Sequence, residues 1–217
     1  MLELTAVSVS LQGRRLFAPV TLTVLPGQVV TLTGASGIGK STLLAAVGGH
    51  LVPGLVMEGA IRLDGRDVTR LPAEARRIGV MFQDALLFPH LSLGGNLAFA
   101  LPPAIRGRAA RRAAIAAALE TAGLQGMADR DPATLSGGQA ARAALMRSLL
   151  AEPRALLLDE PFSRLDAALR DGIRRFVFDH ARAQGLPVLL VTHDAGDAQA
   201  AGGPVWQLGP GGISIVS

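Results

Sequence analysis

A chain of 217 residues that is 49% hydrophobic and 18% charged holds enough apolar material for one sizeable core, which excludes disorder as its overall state. The net charge of +4 and the pI near 11.1 do not make a nucleic-acid binder. With no tyrosine, no cysteine and a single lysine, almost nothing titrates between neutrality and the arginine range, and the basic cluster Arg106, Arg108, Arg111 and Arg112 reads as a solvated helix face.

In chain order, residues 2–9 alternate as a strand, and residues 20–25 form another that ends in the turn Pro26-Gly27. Residues 29–33 are a short apolar strand running straight into a glycine-rich loop, and residues 41–47 read as a helix ended near Gly48-Gly49. Residues 77–82 are a further strand. From about 85 to 151 helical patterns dominate, with helices expected over 109–122 and 138–150. No run approaches the roughly 20 uncharged apolar residues of a spanning helix: the stretch 93–101 is stopped by Pro102-Pro103. Residues 155–158 and 187–192 are buried-strand patterns flanking a helix over 167–184, and residues 205–208 and 213–216 close the chain as short strands. Glu3 and neighbouring polar residues do not read as a secretory signal. Apolar strands alternating with helices predict an α/β fold with a mainly parallel sheet. The expected organisation is one domain over residues 1–217, with N-terminal antiparallel strands and a helical subdomain inserted at 85–151.

Gly34-Ala35-Ser36-Gly37-Ile38-Gly39-Lys40-Ser41-Thr42 fits G-x-x-x-x-G-K-S/T between a strand and a helix. The glycines let successive backbone N–H groups turn inward toward phosphate oxygens, and the helix start adds its unpaired donors and positive dipole end. Lys40 supplies a mobile charge for the outer phosphates and the Ser41 hydroxyl a ligand for Mg²⁺. Every other lysine-or-arginine position in the chain is arginine, so the one lysine marks a site that needs an ammonium rather than a planar fork. This loop alone specifies only a nucleotide triphosphatase.

Leu135-Ser136-Gly137-Gly138-Gln139 opens a second helix with an N-cap serine and two exposed glycine N–H groups, more than a structural cap requires. Together with the phosphate loop it resembles the signature of the ABC ATPase family, and the resemblance covers essentially the whole chain. It implies that the signature of one subunit closes over ATP held by the loop of a second, giving a dimer with two composite sites. Further elements follow in the family's order. Residues 155–160 resemble Walker B, with Asp159 organising Mg²⁺ and Glu160 polarising the attacking water. Gln83 resembles the Q-loop glutamine that contacts Mg²⁺ and water, Ser163-Arg164-Leu165-Asp166 the D-loop, and His193 the switch histidine that senses the γ-phosphate. His50, His90 and His180 have no metal spacing and read as structural or surface residues. Two departures stand out. Leu11 occupies the place where the family stacks an aromatic on adenine, with nearby Phe17 read as core. Ala140-Ala141 replaces the glutamine-rich continuation of the signature, while Arg142 is retained.

Among ABC machines, the resemblance points to a transport ATPase working with separate multi-span membrane permease subunits, bound peripherally at the cytoplasmic face of the cell membrane. Residues 83–92, continuing to Asn96, resemble the segment that importer ATPases set against permease coupling helices. Arg130-Asp131-Pro132-Ala133-Thr134 stands where many exporters carry an acidic-glycine element. Import of a small solute, such as a polyamine, a thiamine-like compound or an oxyanion, with a solute-binding protein as a further partner, is the resulting expectation. The alternative is a non-transport ABC ATPase acting on nucleic acid or ribosomes, which usually carries coiled-coil insertions, zinc motifs or two cassettes. No nucleic-acid partner is expected.

Overall fold

The alternating residues at the start of the chain form β1 (Leu2–Leu11) in the computed structural model, which describes residues 1–209 and 211–216. β1 pairs antiparallel with β2 (Arg14–Arg15), β3 (Val20–Val24) and β5 (Leu55–Leu63), and β5 pairs onward with β6 (Arg66–Asp67). The sequence pattern does not predict β5. Its alternation is broken by Glu58 and Gly59, and the break has a geometric cause. The β1–β5 register shifts between Thr5 and Ser8, where Ala6 takes φ 50° and Gly59 takes φ 93°. A Cβ on Gly59 would fall 2.4 Å from the Ala6 carbonyl oxygen, so this bulge requires glycine there.

The second sheet holds β4 (Val29–Thr33), β7 (Ile78–Met81), β8 (Ala155–Asp159), β9 (Val188–Val191), β10 (Val205–Gly209) and β11 (Gly212–Ile215), in the order β11-β10-β4-β9-β8-β7. All neighbours run parallel except β10 and β11. Its central strands are buried on both faces, as a parallel sheet covered by two layers requires. Within β8, Leu157 faces a core shared with α1 (Lys40–Gly48) and the antiparallel sheet, whereas Leu156 and Leu158 face a second core. That second core is built with α3 (Leu93–Ala100), α4 (Arg108–Thr121), α5 (Gly137–Leu150) and α6 (Ala167–Ala183). The short helices α2 (Ala73–Arg76) and α7 (Ala195–Ala201) complete the elements. α7 is seven residues long, contains Gly196 and is followed directly by Gly202-Gly203, too short a periodic run for the sequence pattern to mark as a helix.

A buried polar network fastens α6, α7 and the end of β9. The Arg174 guanidinium pairs with Asp197, and the other Asp197 oxygen accepts from the Thr192 hydroxyl at 2.7 Å. The Thr192 oxygen in turn accepts from the Asp194 N–H at 3.0 Å. Both members of the ion pair are almost fully enclosed, so removing Asp197 leaves the buried guanidinium with only the exposed Asp171, at 3.0 Å, as counter-ion. Asp197→Ala is expected to lower unfolding free energy by about 3–5 kcal/mol in denaturant titrations; a loss below about 1 kcal/mol, the scale of an exposed pair, would contradict this role.

Candidate nucleotide site

Four neighbouring parallel strands deliver the chemistry to one edge. The glycine-rich loop follows β4, Gln83 lies two residues past β7, Asp159 ends β8, and His193 lies two residues past β9. The registers Leu32↔Val191, Val191↔Asp159 and Leu158↔Met81 bring these carboxyl ends side by side. The crevice outside such strand ends is where ligands bind in open α/β sheets. Here it is a cavity of about 540 Å³ lined by Gly34, Ser36, Gly37, Gly39, Lys40, Ser41, Thr42, Gln83, Asp159, Glu160 and His193. Ala35 and Ile38 do not line it. Ala35 contributes its carbonyl to the lysine, and Ile38 packs against the core around α1.

The loop is held in shape by glycines that no other residue could replace. Gly34 (φ 145°) and Gly39 (φ 105°) have left-handed backbones, and a Cβ on either would come within 2.6 Å of the Leu208 carbonyl or of the Phe17 ring. Phe17 is therefore a wedge under the loop, 3% exposed, and is not available to stack on a base. Leu11 is 44% exposed at the end of β1. Gly39 is also the N-cap of α1, whose first turn carries no acidic residue, so its positive end is free for an anion. The Lys40 ammonium folds over the loop and donates to the Gly34 and Ala35 carbonyls, both at 2.8 Å. A cradle of N–H groups, a helix start and one ammonium fit a polyphosphate.

Burial pushes the Asp159 carboxyl above its ordinary range, the Ser41 hydroxyl pulls it back, and the neighbouring Glu160 adds to the rise while Lys40 opposes it. A carboxylate held dry beside a serine hydroxyl and a glutamine suits a hard divalent cation that takes its remaining ligands from phosphate and water. Among the described residues no group of three His, Cys, Asp or Glu side chains forms a metal cage. Glu160 is a feature that residue type alone does not reveal: its backbone is left-handed (φ 48°), and it is anchored by its N–H to Val191 O and its carbonyl to Ser163. The strained turn aims the side chain at His193, whose Nδ1 lies 3.0 Å from Glu160 Oε1.

Ser136, Gly137, Gly138 and Gln139 stand apart from this cavity. They form a capping box at the start of α5, with Gln139 N–H donating to Ser136 Oγ and Ser136 N–H donating to Gln139 Oε1. Ser136 and Gly137 are solvent-exposed. Their neighbour in the same chain is the loop 163–166: a Cβ on Gly138 would lie 2.9 Å from Arg164 O, and Arg142 approaches Asp166 at 3.8 Å. Arg164 also pairs with Asp84, next to Gln83, at 2.8 Å.

Asp194 caps α7 directly after His193, accepting from the Gly196 N–H at 2.7 Å and the Asp197 N–H at 3.3 Å. These backbone bonds, with Arg174 and Arg170 nearby, hold its carboxyl below the ordinary range. A carboxylate depressed in the folded state stabilises above its unfolded pKa of about 3.9 and loses that contribution as pH falls through the lower folded value. Asp194→Ala is expected to cost about 1 kcal/mol at neutral pH. The deficit should narrow only below about pH 4 in chemical unfolding; a deficit that disappears between pH 7 and 5 would contradict it.

The comparisons agree with this geometry. The family model described as "ABC transporter" matches residues 17–163. The chain is 52% identical over 200 residues to the uncharacterized ABC transporter ATP-binding protein YnjD of Escherichia coli (strain K12), covering 92% of each. It is 46% identical over 177 residues to the thiamine import ATP-binding protein ThiQ of Cereibacter sphaeroides, covering 82% of this chain and 75% of that one. To the Fe(3+) ions import ATP-binding protein FbpC of Streptomyces coelicolor it is 44% identical over 202 residues, 92% of this chain but 57% of that longer protein. A dimeric post-hydrolysis structure of the ATP-binding cassette MJ0796, bound to ADP and Pi, superimposes with a TM-score of 0.85 at 29% identity over 100% of this chain and 99% of that one. The chain belongs to the ABC transporter family, as one of its ATP-binding and ATP-hydrolysing subunits.

Proposed function

We propose that the protein is the ATPase of a solute importer, in which two copies close on two Mg²⁺-bound ATP molecules and drive separate multi-span membrane permease subunits. One observation carries the composite site: Lys40, Gln83, Asp159, Glu160 and His193 share one cavity, while Ser136–Gln139 present exposed helix-start N–H groups well outside it. A helix start built for an anion but separate from the chain's own phosphate loop fits the phosphate of another copy. In this reading residues 1–217 are one ATPase domain and residues 85–151 its helical insertion. The relatives named for thiamine and Fe(3+) import support an importer with a solute-binding protein. Residues 83–92, continuing to Asn96, support the permease contact, since Leu86 within them is 58% exposed and Phe99 just beyond them 70%. Among the described residues no helix is long and apolar enough to cross a membrane, which fits a subunit held peripherally at the cytoplasmic face by its permease.

Mechanistically, Lys40 and the loop N–H groups would bind the outer phosphates of ATP, and Ser41, Asp159 and Gln83 would hold Mg²⁺, whose charge would help neutralise the phosphate oxygens. Glu160 orients and deprotonates the attacking water through the oxygen left free by His193. A carboxylate only accepts, so the His193–Glu160 bond places the proton on Nδ1. Contact of Nε2 with a γ-phosphate oxygen then requires either an imidazolium or release of Glu160.

Glu160→Gln is expected to retain ATP binding and to cut turnover about 10²–10⁴-fold; unchanged turnover removes Glu160 from the role of base. Lys40→Ala should weaken ATP binding itself in equilibrium titration, and normal affinity would contradict the cradle. Co-isolation with a multi-span membrane protein tests the transport reading, which ATPase stimulation by DNA or ribosomes alone would overturn.

A further inference from the structure

Arg147 lies on the last turn of α5, eleven residues after Ser136, roughly 16 Å along the helix at 1.5 Å per residue. It faces away from the signature end and into residues 85–88. Its Nη1 donates to the Leu86 carbonyl at 2.9 Å and its Nη2 to the Ala85 carbonyl at 3.2 Å. The guanidinium carbon sits 5.3 Å from the centre of the Phe88 ring, within cation–π range. Burial lowers the guanidinium pKa from its ordinary value. A half-buried cation thus grips two backbone carbonyls and one aromatic face of a loop, with the Asn96 side-chain oxygen 3.5 Å from Nη1. The loop needs such a grip, because Leu86 has a left-handed backbone (φ 45°) and an exposed side chain, an arrangement that would not persist unsupported.

The two ends of this loop have other anchors. Beyond it, buried Asn96 accepts from the Phe88 N–H and donates to the Phe88, Leu91 and Ser92 carbonyls. Before it, Ser148, next to Arg147 on α5, donates to the Val80 carbonyl at 3.3 Å. Between these anchors the loop is also held by Leu87, packed against the core under the helices, and by the exposed Asp84–Arg164 pair. Such pairs contribute little.

We infer that Arg147 is a positioning residue that makes residues 84–88 a stiff strut, moving with α5 and so linking closure over ATP to the exposed Leu86–Phe88 face. The inference rests on the composite-site reading above and adds to it a specific mechanical part. A helix held at one end by a partner's nucleotide and gripping a loop three turns away transmits a shift without needing a change in its own shape. Lysine is not equivalent here, since an ammonium lacks the planar fork that reaches two carbonyls and lies flat on a ring.

Amide hydrogen exchange of the full chain, in a Glu160→Gln background that holds ATP, reads both ends at once. With Arg147 present, adding Mg²⁺ and ATP should alter exchange at residues 136–140 and at 84–88 together. In Arg147→Lys and Arg147→Met, the response at 136–140 should persist and that at 84–88 should vanish, with exchange there faster by about tenfold or more in both states. Arg147→Lys keeps charge and stem, so it guards against simple misfolding of the methionine variant. A response at 84–88 that survives in both variants overturns the inference, and so does loss of the 136–140 response along with it, which would make Arg147 merely structural. Silence at 136–140 in the parent itself would instead sink the composite-site reading, and the inference would fall with it.

Discussion

The carboxyl ends of β7, β8, β9 and β4 lie side by side because parallel pairing leaves them no other arrangement, and the cavity hangs from that edge. A strand slipped by one residue would turn Asp159 away from Ser41 and bury the wrong side chain. The registers are secured by side chains packed on both faces: Leu156 and Leu158 toward the helices, Leu157 toward α1 and the antiparallel sheet. Hydrophobic packing thereby sets the distances at which Lys40, Asp159, Glu160 and His193 meet. The chemistry is then local. The loop is pinned from below by Phe17 and from the side by Leu208, and Glu160 is turned inward by a left-handed backbone.

That arrangement carries an electrostatic cost. Asp159 is kept where burial disfavours its charge, and the Arg174–Asp197 pair is enclosed next to the strand that bears His193. In the first case the compensation comes from Ser41 and Lys40. In the second it comes from a mutual pair completed by Thr192.

Much of this was legible in the sequence for a physical reason: a phosphate loop needs glycines, lysine and serine at fixed local spacing, and a doubly buried strand ending in Asp-Glu is a compact pattern. Strands β4, β8 and β9 and helices α5 and α6 fall within a residue or so of where apolar periodicity places them. What the sequence could not show depended on partners distant in the chain. The pattern of β5 is broken at Gly59 by a bulge centred on Ala6, more than fifty residues earlier. Helix α7 owes its existence to the Asp194 cap and the Arg174–Asp197 pair more than to its own periodicity. Arg147 is one arginine among many until the fold sets it against Leu86 and Phe88. The separation of Ser136–Gln139 from the cavity was implied by family resemblance, and only the three-dimensional arrangement shows where those N–H groups stand.

The most direct test of a site shared between two copies is complementation between two damaged ones. A Cβ on Gly137 would meet only the Arg164 side chain, at an ordinary contact distance of 3.9 Å, so Gly137→Asp should fold normally while setting a carboxylate where a partner's phosphate would dock. Lys40→Ala disables the cradle and leaves the signature intact. If the sites are composite, each variant alone is inactive, and mixing them restores ATP turnover, because one site of each mixed dimer pairs an intact cradle with an intact signature. Full turnover by Gly137→Asp alone, or no recovery on mixing, would contradict the composite site.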